Sequence, residues 1–210
     1  DPDGTFPNHI ANPDNKEAME SIKKQVLAVN ADYGVIFDTD VDRAAVVTGS
    51  GELLNRNNLI AVLSVIVISE HPGTTIVTNS PTTEHLKKFI MKLGGHQYRY
   101  ISGYRNVINK AIELNNQGID CQLAIETSGH AAFKENYFLD DGAYVVAKIL
   151  MLLPRLVAKG ETLDSLIKKL VQPKEVVEVR FKIETEDFKA KGLEVIKEFP
   201  DLIPKDWVVN

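Results

Sequence analysis

The feature that most constrains this fold is a regular alternation of helix-like and strand-like segments between residues 57 and 159. Apolar residues at helical spacing predict the helices, and short apolar runs bounded by glycine and polar residues predict the strands. Strands that alternate with helices form a parallel or mixed sheet with helices on both faces. We therefore expect an α/β fold made of three-layer α/β/α units with mixed sheets. The pattern predicts helices at 58–70, 83–93, 105–116 and 141–159, and strands at 74–78, 97–101 and 121–125.

The pattern continues on both sides of this region, but in incomplete form. We divide the chain into part of one α/β unit at 1–56, a complete α/β domain at 57–173 and the start of a third unit at 174–210. The missing initiator methionine and the loop-like opening lead us to expect a piece of a longer protein. The flanking elements predicted are helices at 14–29, 162–170 and 186–199, and strands at 33–37, 44–48, 176–183 and 207–210.

Composition is that of a folded protein and excludes several classes of function. Of the 210 residues, 44% are hydrophobic and 25% charged, and the formal net charge is −5. Because the chain has no block of lysine or arginine, we do not expect it to bind nucleic acid. The longest apolar run, at 59–68, is too short for a bilayer, and the opening residues do not form a signal peptide. We therefore expect a cytoplasmic protein that does not bind membranes.

The single cysteine, Cys121, excludes an internal disulfide. Its apolar neighbours predict a buried strand, where a thiol behaves as a small hydrophobic group. Nucleophilic use of this thiol is a minor alternative.

Three aspartates at alternate positions directly follow the strand predicted at 33–37. In a tight loop the carboxylates of Asp38, Asp40 and Asp42 converge, and without a cation they repel one another. A hard divalent ion with oxygen ligands, such as Mg²⁺, is the natural partner. Arg43 follows immediately. We name residues 38–43 the aspartate loop.

Other interpretations of the aspartate loop differ in how well they fit. An acidic turn in solvent is the simplest, although such turns do not usually separate two apolar strands. An EF-hand is excluded, since its sixth position must be glycine and is Arg43 here, and its twelfth must be glutamate and is Gly49. A haloacid-dehalogenase-type phosphatase is the serious rival, with Asp38 as nucleophile and Asp40 as acid/base, but it expects threonine or valine at the position of Asp42.

A second polar loop, Glu-Thr-Ser-Gly-His at residues 126–130, follows the strand predicted at 121–125. A carboxylate, a hydroxyl and an imidazole at the end of a strand are suited to bind sugar hydroxyls. A Ser–His pair for acyl transfer is a poor interpretation, because the Gly-x-Ser-x-Gly motif is absent. Downstream, we interpret Lys134 as a phosphate contact and Asp140 as the cap of the following helix.

Together these segments resemble the α-D-phosphohexomutase family, which includes phosphoglucomutases and phosphomannomutases. Residues 38–43 resemble its magnesium loop and residues 126–130 its sugar-specificity loop. Residues 2–7 resemble a segment of its second domain, and residues 134–142 follow the sugar loop as they do in the family. Residues 103–105, Gly-Tyr-Arg, resemble a substrate-phosphate segment that often contains lysine instead of arginine. The order and separation of these motifs are more specific than any one of them.

The resemblance implies a role for each matching residue. Asp38, Asp40 and Asp42 would bind Mg²⁺, and Arg43 would lie beside a phosphorylated serine. Further roles are implied for residues that contact the hexose phosphate: sugar hydroxyls for Glu126 and Ser128, phosphate for Arg105 and Lys134, and acid/base chemistry for His130. Positions 39 and 41 depart from the family, where small residues are common, but they lie between the ligands.

The resemblance also implies chemistry that this sequence does not complete. The family transfers a phosphoryl group between phosphoserine and a hexose phosphate, with Mg²⁺ and a glucose 1,6-bisphosphate-type activator. Its serine loop, Thr-x-Ser-His-Asn-Pro, does not occur here, nor does the phosphate-binding loop of its fourth domain. We therefore expect the parts at 1–56, 57–173 and 174–210 to be the end of domain two, all of domain three and the start of domain four. The remaining domains of the same chain would then be needed for activity.

Two alternatives remain open beside the mutase. One is the phosphatase that uses Asp38. The other is a non-catalytic protein that binds sugar phosphates. Within the mutase interpretation, Glu126 and Ser128 would serve glucose, mannose and glucosamine phosphates alike, so the sequence does not select the hexose.

Overall fold

The computed structural model describes residues 3–177, 179 and 182–205, which fall into two compact units, Asp1–Gln172 and Pro173–Asn210. In the second unit, helix α7 spans Phe188–Leu202, close to the helix predicted there. The strand predicted at 207–210 lies outside the described residues. Of the residues predicted as a strand at 176–183, those that the structure describes are not in a strand.

The first unit begins with a helix and a small antiparallel sheet. Helix α1 spans Lys16–Val29, and its first turn is capped by the Asn15 side chain, which accepts a hydrogen bond from the Ala18 backbone N–H. The sheet has the order β1-β2-β3, and β1 pairs with β2 along its whole length. The aspartate loop is therefore the connection of a β-hairpin. The strands are β1 (Tyr33–Phe37), β2 (Ala44–Thr48) and β3 (Leu53–Leu54).

The second sheet of this unit is mixed and has the order β5-β4-β6-β7. Strand β4 runs parallel to both β5 and β6, and β7 returns antiparallel beside β6. Its elements are α2 (Arg56–Glu70), β4 (Thr75–Asn79), α3 (Glu84–Lys92), β5 (His96–Tyr100), α4 (Tyr104–Asn116), β6 (Cys121–Ile125), β7 (Ala131–Phe133), a 3-10 turn (Lys134–Asn136), α5 (Gly142–Val157) and α6 (Leu163–Ile167).

The main core contains side chains of both sheets and of the helices α2 and α5. Helix α2 is buried on nearly all sides, because it packs against α5, α6 and β3 as well as the larger sheet. Val46 of the small sheet, Ile60 of α2 and Leu123 of the large sheet belong to one cluster of buried side chains. Burial of each such side chain stabilises the fold by about 1.5–3 kcal/mol. No helix in the described part of the chain is long and apolar enough to cross a membrane.

Cys121 lies in a second buried cluster, between β4, β6 and α4, and is buried as its neighbours predicted. It is free and fully buried in β6, and burial raises the pKa of its thiol to about 11. Because the thiolate is the reactive form, this residue is inert at neutral pH.

The direction of the strands determines where the loops lie. Because β4, β5 and β6 are parallel, the loops that follow them emerge at one edge of the sheet, where open α/β sheets bind ligands. An isolated bridge between Arg43 and His130 attaches the aspartate loop to this edge. The fold thus brings the two polar loops together from separate sheets.

Candidate active site

The aspartate loop is held by its own arginine. Asp38 follows β1, and its side chain is only 1% exposed. Its Oδ1 accepts a hydrogen bond from the Arg43 backbone N–H at 3.1 Å, and its Oδ2 accepts one from Arg43 Nε at 2.6 Å. Burial by itself would raise the pKa of Asp38, but the hydrogen bonds and charge of Arg43 outweigh it and lower that pKa. Asp38 is therefore a carboxylate fixed in place.

Asp42 differs, because its carboxylate is incompletely satisfied. Its Oδ1 is buried and has no hydrogen-bond partner. Burial first, and then the neighbouring carboxylate of Asp38, raise the pKa of Asp42 to about 6. A nearby cation would favour the charged carboxylate and so lower this pKa.

The loop fits a hard divalent ion by two independent observations. One carboxylate oxygen from each of Asp38, Asp40 and Asp42 can be chosen so that all lie within 4.8 Å of one another. The buried Oδ1 of Asp42 has no hydrogen-bond partner, and the only cation that faces it is Arg43 Nε at 3.7 Å among the contacts of the described residues. Oxygen-only ligands of this kind suit Mg²⁺. Asp40 is exposed, so the site opens to solvent on one side.

The 126–130 loop is anchored to the loop that follows β5. Glu126 is buried at the end of β6, and its Oε1 accepts a hydrogen bond from the Gly103 backbone N–H at 2.6 Å. Ser128 Oγ donates a longer bond of 3.4 Å to Glu126 Oε2. The carboxylate is therefore oriented by the backbone before any ligand is present.

Gly129 and Gly142 allow the 126–130 loop and the start of α5 to lie against the aspartate loop. Gly129 has φ +100°, and a Cβ there would stand 2.9 Å from the Ala44 carbonyl oxygen. A Cβ at Gly142 would stand 2.8 Å from the Val41 carbonyl oxygen, and the Gly142 N–H donates to that oxygen at 3.0 Å. Val41 itself has φ +64°, a conformation that is strained for a β-branched residue.

His130 lies where the loops meet. Its Nδ1 is 2.7 Å from Asp140 Oδ2 and 3.6 Å from Asp42 Oδ2. Its ring stacks on Tyr104, with centroids 5.0 Å apart. Burial would lower the pKa of His130, but the hydrogen bond to Asp140 and the negative charges of Asp140 and Asp42 outweigh burial and raise it. The imidazole therefore connects the aspartate loop with the 126–130 loop.

Two predicted phosphate contacts lie in different places. Arg105 is exposed at the margin of the cluster, where its Nε donates to Tyr104 Oη at 3.0 Å. Lys134 is not in the cluster, because β7 runs back along β6 and carries it to the opposite edge of the sheet. There its Nζ donates to Asp120 Oδ1 at 3.2 Å, beside the start of β6. At about 3.3 Å per residue, that edge is roughly 16 Å from Glu126.

The helix cap predicted at Asp140 was wrong by one residue. Asp141 caps α5, since its Oδ1 accepts a hydrogen bond from the Tyr144 N–H at 2.9 Å. Asp140 contacts His130 instead, because it pairs with Ala132 in an isolated bridge that directs its side chain to the histidine.

Sequence reasoning missed three further residues at this edge: Asp140, Tyr104 and Asn79. Asn79 is buried at the end of β4 and exchanges two hydrogen bonds with Thr127. Asn79 Nδ2 donates to Thr127 Oγ1 at 3.0 Å, and the Thr127 backbone N–H donates to Asn79 Oδ1 at 3.1 Å. The signal available was its position, since polar residues that end adjacent parallel strands meet at one edge. Nothing in the local sequence indicated that Tyr104 stacks on His130.

The fold defines an α/β/α protein, and comparison with known proteins shows which family it belongs to. Residues 55–173 match the family model for phosphoglucomutase/phosphomannomutase α/β/α domain III, and residues 1–51 match the model for domain II. The chain therefore belongs to the phosphoglucomutase/phosphomannomutase family. The family resemblance seen in the sequence and the predicted α/β/α fold are both confirmed.

Individual relatives agree with this assignment. A phosphomannomutase/phosphoglucomutase of Pseudomonas aeruginosa is 36% identical over 152 residues, which cover 72% of this chain and 32% of that protein. A phosphoglucomutase of Neisseria gonorrhoeae is 30% identical over 172 residues, covering 81% and 36%. A crystal structure of a family member from Burkholderia thailandensis superposes with a TM-score of 0.70 at 31% identity, covering 82% and 36%. The chain thus spans about a third of the length of the curated relatives it matches.

Proposed function

We propose that this chain is the central part of a Mg²⁺-dependent hexose-phosphate mutase. Residues 1–56 would be the end of domain two, 57–173 domain three, and 174–210 the start of domain four. The observation that carries the proposal is the meeting of the two loops at His130, which lies 2.7 Å from Asp140 and 3.6 Å from Asp42. A metal loop and a sugar-binding loop must be adjacent if a phosphoryl group is to move between serine and sugar.

The aspartate loop would manage the charge of the transferred group. Asp38, Asp40 and Asp42 would hold Mg²⁺, which when bound neutralises charge on a phosphoryl group in transfer. Arg43 is tied to Asp38 through Nε. This bond orients the guanidinium, which would stand beside the phosphoserine contributed by another part of the protein.

The 126–130 loop would hold the sugar and move its proton. Glu126 and Ser128 would accept and donate hydrogen bonds to the hydroxyls, and Arg105 would contact the phosphate. His130 would take the proton of the attacking hydroxyl and return it in the reverse half of the cycle, after a glucose 1,6-bisphosphate-type intermediate has turned over. Lys134 has no part in this proposal, since it lies at the opposite edge of the sheet.

The test is a mutase assay on the full-length protein that contains this chain. With glucose 1-phosphate and Mg²⁺ we expect glucose 6-phosphate to form, and Asp40→Asn should lower kcat/KM at least about a hundredfold, because metal charge stabilisation amounts to several kcal/mol. Asp32→Asn is the matched control, the same change at an exposed residue beside the other end of β1. The 210-residue chain alone should show no turnover. Full activity of the Asp40 variant, or an inactive full-length protein, would contradict the proposal.

The phosphatase alternative has less support from the geometry. It requires Asp38 to attack phosphorus, yet that side chain is 1% exposed and both its oxygens accept hydrogen bonds from Arg43. Hydrolysis of simple phosphate esters that Asp38→Asn abolishes would nevertheless establish it.

A further inference from the structure

The ring of His130 is held in place by contacts from several directions. Tyr104 covers one face, with the two rings within 21° of parallel. The backbone of His130 pairs with that of Arg43, and Nδ1 lies 2.7 Å from Asp140 Oδ2. Among the described residues, Nε2 has no hydrogen-bond partner. One nitrogen is therefore committed to the protein and the other is left for a ligand.

Asp140 is itself held so that only one of its oxygens serves the histidine. Its side chain is 13% exposed. Oδ1 accepts a hydrogen bond from the Ala131 backbone N–H at 3.2 Å, which leaves Oδ2 for the ring. The helix cap is made by Asp141, so Asp140 is not needed to start α5.

We propose that Asp140 is a positioning residue that sets the tautomer of His130. A carboxylate oxygen only accepts hydrogen bonds, so the neutral ring must carry its proton on Nδ1 and its lone pair on Nε2. Nε2 is then the atom that accepts the proton as the hydroxyl O–H bond breaks, and that returns it later. The inference rests on the proposed function for the role of His130, but the tautomer itself does not depend on activity.

The geometry gives a sharp consequence for Asp140→Asn. The Ala131 N–H still requires an acceptor, so it keeps the amide oxygen of the new side chain and turns the NH₂ group toward Nδ1. An NH₂ group donates, so Nδ1 must become the acceptor and the proton must move to Nε2. The substitution therefore keeps shape and reverses the tautomer. The matched control is Asp141→Asn, which makes the same change one residue along, and asparagine remains a good helix cap.

The first experiment reads the tautomer directly. The chain is labelled with ¹⁵N-histidine, Mg²⁺ is added, and long-range ¹H–¹⁵N correlations are recorded at mildly alkaline pH. His130→Gln assigns the signal among the five histidines. We expect protonated Nδ1 in the unmodified chain and in Asp141→Asn, and protonated Nε2 in Asp140→Asn. Protonated Nε2 in the unmodified chain, or no change in Asp140→Asn, would overturn the proposal.

The second experiment separates positioning from general structural support. In the full-length protein, Asp140→Asn should lower kcat by about 10²–10⁴-fold, the range for general acid–base catalysis, while KM changes little. Asp141→Asn should retain kcat. If the unmodified enzyme is active and Asp140→Asn keeps its kcat, the positioning role is wrong. If the unmodified protein is inactive, the proposed function fails, and the tautomer measurement still decides the role of Asp140.

Discussion

Both loops of the site carry polar side chains, but they are built in different ways. The aspartate loop is local, since Arg43 and Asp38 hold each other across five residues of one hairpin. The 126–130 loop is assembled from distant parts of the chain, with partners at Gly103, Tyr104 and Asp140. The difference teaches that a contiguous motif carries its geometry with it, whereas the geometry of the 126–130 loop depends on the tertiary structure.

The largest expected effect tests whether the aspartate loop depends on its contact with the start of α5. Gly142→Ala places a Cβ 2.8 Å from the Val41 carbonyl oxygen and from the Arg43 carbonyl carbon, both backbone atoms that cannot rotate away. We expect a loss of about 3 kcal/mol in the free energy of unfolding of the first unit, at the upper end for overpacking. Urea denaturation measures it. Gly4→Ala, in the same unit and with no heavy atom within 4 Å of the new Cβ, is the control. An unchanged midpoint for Gly142→Ala would mean that the aspartate loop and the start of α5 can separate.

A second change acts only on the assembled loop. Asn79→Ala removes both hydrogen bonds to Thr127 and should cost about 2 kcal/mol, because a partly buried N–H loses its acceptor. The aspartate loop should be unaffected, so the response to Mg²⁺ should persist. Asn109→Ala, on the exposed face of α4, serves as the control in the same thermal melts. Loss of the Mg²⁺ response in Asn79→Ala would show that the aspartate loop is not self-contained.

The third prediction concerns Mg²⁺ itself. At ten times its dissociation constant, Mg²⁺ should stabilise the chain by about 1.4 kcal/mol, and chelation should reverse this. Asp42→Asn should abolish the response, because it removes the carboxylate whose Oδ1 has no hydrogen-bond partner. His130→Gln should retain it if the loop is local. Thermal melts with and without Mg²⁺ measure this response. A full response in Asp42→Asn would contradict the proposal that Asp42 is a metal ligand.

The smallest expected effect concerns the ion pairs of Lys148, which lie away from both loops. Lys148 is buried and bonds Glu70 at 2.6 Å and Glu135 at 2.8 Å. Burial would raise the pKa of Glu135, but the hydrogen bond and charge of Lys148 outweigh it and lower that pKa. A lowered carboxyl pKa stabilises the fold above the unfolded pKa, and this stability is lost as pH falls through the folded value.

Glu135→Gln should therefore flatten the acid side of the stability curve. The change should be below about 1 kcal/mol, since the Glu135 side chain is 41% exposed and solvent screens the pair. Glu161→Gln at an exposed site is the control. A free energy of unfolding that falls more steeply toward acid pH in Glu135→Gln would contradict this prediction.

Much of the fold could be predicted because periodicity reports burial. The helix predicted at 141–159 is observed as Gly142–Val157, and the strand predicted at 121–125 as Cys121–Ile125. Strands β3 and β7, two and three residues long, were missed, because so few residues show no period and their pairing depends on the partner strand.

The site was predictable to the extent that it is contiguous. The three aspartates could be grouped because alternate positions in one loop converge. The position of Lys134 could not be predicted, because it depends on the reversal of β7. One carboxylate of the pair at 140–141 was taken for the other as the helix cap, because only the bridge to Ala132 distinguishes them. The contacts of Tyr104 and Asn79 come from the order of the strands, which periodicity does not specify.

The contact at Gly129 and Gly142 has a consequence for engineering. Because each glycine lies against the backbone of the aspartate hairpin, positions 129 and 142 meet that hairpin with no side chain of their own between the backbones. A 126–130 loop transplanted from a relative would carry its own backbone course and would no longer match a hairpin that stayed behind. Chimeras that exchange this loop between relatives should therefore move residues 38–44 and 126–142 together.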